Sequence, residues 1–170
     1  MTDAETQLAS YFARYAPEQA KLGKALRTRL RARLPGLLEI VYVYENQDAL
    51  VISYSPTEHG YEALCSLALS PNEVRLYFAQ GPLLSKSDPQ KLLQGRGKAV
   101  RYVTLDSLAG FERAEIEELM AAALKLAKLR LDSNAKSTVI IKAEAQKQRA
   151  QRAAKKARPS SAGRTPKARR

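Results

Sequence analysis

The stretch that decides the fold is residues 38–78, LEIVYVYENQDALVISYSPTEHGYEALCSLALSPNEVRLYF. Within it, LEIVYVY (38–44), LVISY (50–54), ALCSLAL (63–69) and VRLYF (74–78) are each short and bounded by Asn, Asp, Pro, Gly or Ser. The first is almost wholly β-branched and aromatic, which suits a pleated, buried surface. The links between the four are too short to hold crossover helices, so the segments are expected to pair as an antiparallel meander. A fifth strand, VRYVTL (100–105), follows a longer connection at 81–98, where a short helical piece is expected near residues 89–94.

On the N-terminal side the period changes to that of a helix. Residues 3–14 place Leu8, Tyr11, Phe12 and Tyr15 on one side. Pro17 suits the first turn of a second helix running to about residue 34. There Leu22, Leu26, Leu30 and Leu34 form a core-facing stripe, Lys24, Arg27 and Arg31 fall on the opposite face, and Pro35-Gly36 ends the helix. On the C-terminal side Ile116, Leu119, Met120, Ala123, Leu124 and Ala127 recur at helical spacing. Glu112, Glu115, Glu117 and Glu118 come early in that helix and Lys125, Lys128 and Arg130 late, the polarity a helix dipole favours. The predicted fold is α+β: a five- or six-stranded antiparallel meander sheet covered on one face by the N- and C-terminal helices.

A chain of 170 residues with 45% hydrophobic content is enough for one domain with its own core. The start Thr2-Asp3-Ala4-Glu5 is made acidic by Asp3 and Glu5 where an export signal would be basic, and no apolar run approaches the roughly 18 residues of a bilayer span. Cys65 is the single cysteine and cannot form an internal disulfide. A cytoplasmic protein with no membrane contact is expected.

The net charge of +12 is unevenly placed. Residues 132–170 hold 12 Lys or Arg and 2 acids, whereas residues 1–131 hold 17 and 15. The expected organisation is a near-neutral body at 1–131 and a basic, largely disordered tail at 132–170, with a helix-permissive stretch at 142–157. Within the tail, Val139-Ile140-Ile141 is a lone apolar triplet, suited to an edge strand or to docking on a partner. Lys142, Lys147, Arg149, Arg152, Lys155, Lys156 and Arg158 are the cations expected to meet phosphates, giving sequence-independent, salt-sensitive contact with nucleic acid.

The order VYVYEN (41–46), SPTEH (55–59), SLALSPNEVRLYFAQG (66–81) and DPQKLLQGRGKAVRYVTL (88–105), followed by an amphipathic helix, resembles the YdhG-like family of small bacterial domains of unknown function. The similarity covers residues 37–128, and LLQGRGKAVR is its most specific block. It implies an antiparallel sheet covered by helices on one face. Some members of that family are labelled frataxin-like iron chaperones. Iron delivery of that kind asks for a ridge of carboxylates, since Fe²⁺ takes hard oxygen ligands. Here the second helix carries six Lys or Arg and only Glu18, and the first offers only Asp3 and Glu5. The carboxylates left for a metal are Glu112, Glu115 and Glu118, whose expected role is dipole complementarity; no metal or cofactor is expected.

Three other groupings bear on chemistry. Gly95-Arg96-Gly97-Lys98 with Arg101 is the best anion-binding candidate, since glycines let backbone N–H groups converge and the cations add charge. It lacks P-loop spacing, and a helix C-cap followed by a tight turn is the alternative reading. His59 and Cys65 do not make a nucleophile pair, because Cys65 lies in a strand on the same face as Ala63, Leu67 and Leu69. Tyr42 and Tyr44 share a strand face, as do Arg75 and Tyr77; with Tyr54 and Tyr102 their expected work is core and cross-strand packing, although aromatic residues beside arginine also stack on bases. The function expected from all this is a non-enzymatic binding or adaptor domain with an unidentified protein partner, tethered to nucleic acid by its tail. The alternatives are a frataxin-like iron chaperone and a binding domain for a small anionic ligand.

Overall fold

The computed structural model describes residues 2–142. Helix α1, Asp3–Phe12, starts where the Thr2 hydroxyl accepts the Glu5 N–H at 3.3 Å, and it buries Leu8, Tyr11 and Phe12. Helix α2, Pro17–Arg33, has proline in its first turn and buries Ala20, Gly23, Leu26 and Leu30. Leu22 sits at the margin of that stripe, only partly buried, and Gly23 takes the central place. A methyl group at Gly23 would lie 2.5 Å from Leu69 Cδ2, so the missing side chain is what lets α2 approach the sheet.

Six strands form one sheet in the order β5-β4-β3-β2-β1-β6. They are β1 (Leu38–Tyr44), β2 (Ala49–Ser55), β3 (Cys65–Leu69), β4 (Val74–Phe78), β5 (Arg101–Leu105) and β6 (Val139–Ile141). The first five pair antiparallel as the short links require. The sixth lies parallel to β1, with Val139 opposite Glu39 and Ile141 opposite Val41. A parallel partner needs a long return, and the helix Ala114–Ala127 with residues 128–138 supplies it. The apolar triplet is therefore an edge strand, and the sheet draws on residues beyond Leu131. The chain comes back beneath the Pro35-Gly36 turn, where Gly36 has φ +83° and its open side faces the Ala135 methyl.

Register separates the two faces of the sheet. Val41, Ile52, Leu67, Leu76 and Val103 line up across β1 to β5 and belong to one core cluster with Leu26, Leu30, Phe111, Ile116 and Leu119. The helices thus cover one face. On the other, Val51, Ser66, Ala68, Arg75, Tyr77 and Tyr102 are half-exposed and Thr104 is exposed.

The connection after β4 differs from expectation. Its helical piece is α3, Gly81–Leu84, followed by a 3₁₀ turn at Ser85–Ser87, and residues 89–94 are not helical. The Asp88 carboxylate, nearly buried, accepts the N–H groups of Leu92 and Leu93 at 2.9 and 2.8 Å while Lys91 adopts φ +54°, which turns the chain instead of winding it. The C-terminal helix is likewise two pieces: α4, Leu108–Phe111, capped by Ser107, and α5, Ala114–Ala127, closed by Lys128 at φ +53°.

Candidate functional site

The uncovered sheet face carries one ordered cluster, at the β4–β5 corner. Antiparallel register sets Tyr77 opposite Tyr102 and Arg75 opposite Thr104. The tyrosine rings lie 5.2 Å apart at 45°, and the Arg75 guanidinium sits 4.2 Å above the Tyr102 ring. Arg75 also donates to the Tyr77 hydroxyl at 3.1 Å and pairs with Glu73. The result is a fixed array of a planar cation and two phenol rings, held by contacts on three sides. Beside it the surface is low: Ser66 and Ala68 come next, and the Ser66 hydroxyl is engaged with that of Ser53 at 2.8 Å. Tyr42 and Tyr44 stand on the same face at the far side, 6.3 Å apart, where Gly60 of the 56–62 loop closes over Tyr42. Of the strand tyrosines, Tyr54 alone is in the core.

The glycine loop is a turn between two paired residues. Gln94 and Tyr102 exchange both backbone hydrogen bonds, at 2.7 and 3.0 Å, and Gly95 has φ +105° where the chain leaves that bridge. Arg101 directs its guanidinium back onto the Gly97 and Val100 carbonyls. Arg96, Gly97 and Lys98 are exposed. The structure thus brings Gly95 and Arg101 together as a closed turn, and gives Arg101 a bonding role within the loop.

Several carboxylates and arginines of the body are matched to each other. Glu112 pairs with Arg29 at 2.9 Å, Glu115 with Arg113 at 3.1 Å, and Glu117 with Arg33. The first and last of these pairs join α5 and its approach to α2, and the second lies within the first turn of α5 itself, so these acids have partners beyond the helix dipole. Among the described residues no three His, Cys, Asp or Glu side chains gather as a metal ion would require. His59 stacks on Tyr61 at 5.2 Å. Cys65 is buried, and burial alone pushes its thiol up to about 12, so it is a packed thiol and not a nucleophile. Lys142 belongs to the sheet: its N–H bonds to the Val41 carbonyl at 2.8 Å and its ammonium reaches the Glu58 carbonyl. Lys147, Arg149, Arg152, Lys155, Lys156 and Arg158, with most of the 142–157 stretch, lie outside the described residues.

The sequence reading missed a buried ionic network. Glu39 is fully buried, yet Arg27 grips both of its oxygens, at 2.9 and 2.7 Å. Arg27 also meets Glu5 at 2.8 Å, and Arg31 meets Glu5 at 3.0 Å and Glu39 at 3.6 Å. Arg27 and Arg31 are therefore not on a solvated face. Each follows a core leucine by one position, about 100° around the helix, which aims it at β1 instead of at water. Burial works against the charge on Arg27, but its hydrogen bonds with Glu39 and Glu5 outweigh that and raise its pKa. The hydrogen bond from Arg27 holds Glu5 below its ordinary value. Tyr54, opposite Glu39 in register, is pushed well above the usual range, first by burial and then by the Glu39 charge. The signal was Glu39 itself, an acid at an inward position of an apolar strand, which requires a cation from the next layer.

Among the described residues the surface also carries shallow clefts. One, about 170 Å³, lies where α1 meets the β1–β2 turn, between Tyr11, Arg14, Tyr15 and Asp48; another, about 240 Å³, has an alanine floor of Ala63, Ala79, Ala123 and Ala127. No helix among the described residues is long and apolar enough to cross a membrane. Comparison with models of known families, with curated proteins and with solved structures finds no match.

Proposed function

We propose that the protein is a non-enzymatic nucleic-acid-binding adaptor, in which a folded α+β platform of YdhG-like type carries a cationic extension that supplies the affinity. One observation carries this reading. Six arginines of the folded body are spent on its own carboxylates: Arg27, Arg29, Arg31, Arg33, Arg75 and Arg113 all sit in ion pairs. Most of the net charge lies in the residues after Lys142, which hold ten Lys or Arg and one acid, Glu144. A run of that composition displaces counterions from a polyphosphate whatever its sequence.

The test compares the full chain with a chain ending at Lys142, titrated into labelled RNA and DNA over a range of salt. If six or more of the cations engage, full-chain affinity should fall by about a thousandfold between low and near-physiological salt, and the shortened chain should lose most of its binding. Equal binding by the two chains, or a flat salt response, would reject the proposal.

A further inference from the structure

We infer that the β4–β5 corner of the uncovered face receives unpaired bases, which makes single-stranded nucleic acid the preferred ligand; this rests on the adaptor reading above and names its substrate class. Phosphate contact by a basic segment does not distinguish a duplex from a single strand. The corner does. Bases offer flat π faces only when they are free of a duplex stack, and proteins that hold single strands present aromatic rings and arginine planes on a sheet surface. Arg75, Tyr77 and Tyr102 are such a set. The guanidinium is already stacked 4.2 Å above the Tyr102 ring and tied to the Tyr77 hydroxyl at 3.1 Å, so ordering it on binding costs little.

The surroundings fit an extended strand. Ser66 and Ala68 make a low floor beside Tyr77 and Arg75, in direct register with them, so no tall side chain stands on the neighbouring strand next to the ring. Charge complementarity comes from the same chain. Lys142 ends the described residues at β6, the opposite edge of this sheet, and 28 residues follow it. Five strand spacings separate β6 from β5, about 24 Å. A short single strand spans that distance, so one polymer can meet both the aromatic corner and the chain that follows β6.

The full chain is titrated by fluorescence anisotropy into an oligouridylate, an oligothymidylate and a duplex of equal length. Both single strands should bind more tightly than the duplex. Tyr77→Ala with Tyr102→Ala should weaken single-strand binding by about tenfold or more, with duplex affinity and salt dependence unchanged. Tyr102→Phe, which keeps the ring, should bind as the unaltered chain does. Thr104→Glu sets a carboxylate opposite Arg75 at an exposed position and should weaken single-strand binding without disturbing the core, so the outcome stands even where the double alanine variant fails to fold. Equal affinity for duplex and single strand, or full single-strand binding by Thr104→Glu and the double alanine variant, would overturn the inference while leaving the adaptor reading intact. Loss of salt-dependent binding to every ligand by the full chain would instead remove the adaptor reading.

Discussion

Replacing Arg27 by Met should cost more stability than replacing Arg27 and Glu39 together. In the native structure the Glu39 carboxylate has no exposed surface and takes two hydrogen bonds from Arg27, at 2.9 and 2.7 Å. Its other cation, the Arg31 Nε, is at 3.6 Å, too far for a hydrogen bond. Arg27→Met therefore strands a buried charge, at a cost of about 3–5 kcal/mol. Glu39→Met is milder, about 1–3 kcal/mol, because Arg27 keeps Glu5 at 2.8 Å. In the double variant neither charge is left behind, and two thioether side chains of similar volume fill the space. Urea unfolding followed by circular dichroism measures this directly: with a slope near 2 kcal/mol/M, Arg27→Met should lower the midpoint by about 1.5–2.5 M, and the second substitution should raise it again. Glu5 adds a check from pH. Its folded pKa is lowered below the ordinary 4.5, so its contribution is present above 4.5 and is lost as pH falls through the lowered value. Arg27 is the main cause of that lowering, so the acid limb of the stability profile should flatten in Arg27→Met. Costs that simply add in the double variant would refute the account of Glu39 as a carboxylate dependent on Arg27.

Three further outcomes are expected. A chain ending at Lys142 should match the full chain in urea midpoint, whereas one ending at Leu131 should lose about 2–4 kcal/mol. It gives up the half-buried Val139 and Ile141 and the edge hydrogen bonds Glu39 N–H to Thr138 and Lys142 N–H to Val41. Gly23→Ala should destabilise by about 1–3 kcal/mol despite alanine's higher helix propensity, since the new methyl would lie 2.5 Å from Leu69 and 3.0 Å from Phe12; a raised melting temperature would contradict the close packing of α2 on β3. The Cys65 thiol ionises near 9.0 when unfolded and near 12 when folded, so the unfolded state binds fewer protons between those values and stability falls with rising pH. The expected loss is about 1.4 kcal/mol per pH unit, absent in Cys65→Val, and the native thiol should resist alkylation until denaturant is added.

The meander was legible because its signal is local: short segments, turn residues between them and no room for crossovers leave one pairing pattern. β6 was harder, because three apolar residues set among polar ones carry no period, and only the return of the chain beneath Gly36 puts them beside β1. The helical turn placed at 89–94 fell at 81–87 because Asp88 spends its carboxylate on the backbone of Leu92 and Leu93, a competition between side chain and helix that composition does not display. At the surface, the pairing of Arg75 with Tyr77 on one face was readable from alternation, but the addition of Tyr102 needed the register of β5 after a long connection. The ionic network was hidden for a similar reason. Helical spacing puts Arg27 beside the core stripe, and whether it meets water or Glu39 depends on which strand lies at that edge.

Counting charge along the sequence and counting it on the folded surface give different molecules, and the difference bears on specificity. Along the sequence α2 is the most basic element of the body, with six cations and one acid. In the fold, Glu5 and Glu39 neutralise one flank of it and Glu112 and Glu117 the other, so the helix acts as a strut between α1, β1 and the C-terminal helices. A platform that pairs most of its α2 arginines with its own acids adds less to non-specific attraction than the basic segment does. What remains for it to contribute is shape and stacking. On the uncovered face the large side chains stand in two groups, Arg75 with Tyr77 and Tyr102 at one side and Tyr42 with Tyr44 at the other, with Val51, Ser66 and Ala68 half-exposed between them, while Ile40, Ser53 and Ser55 of the same face are buried. On the proposed reading one polymer meets both the basic segment and the aromatic corner near β5. Affinity then comes from charge that cannot tell a duplex from a single strand, and discrimination from rings that can, so substitutions in the basic segment and at the aromatic corner should act on different observables.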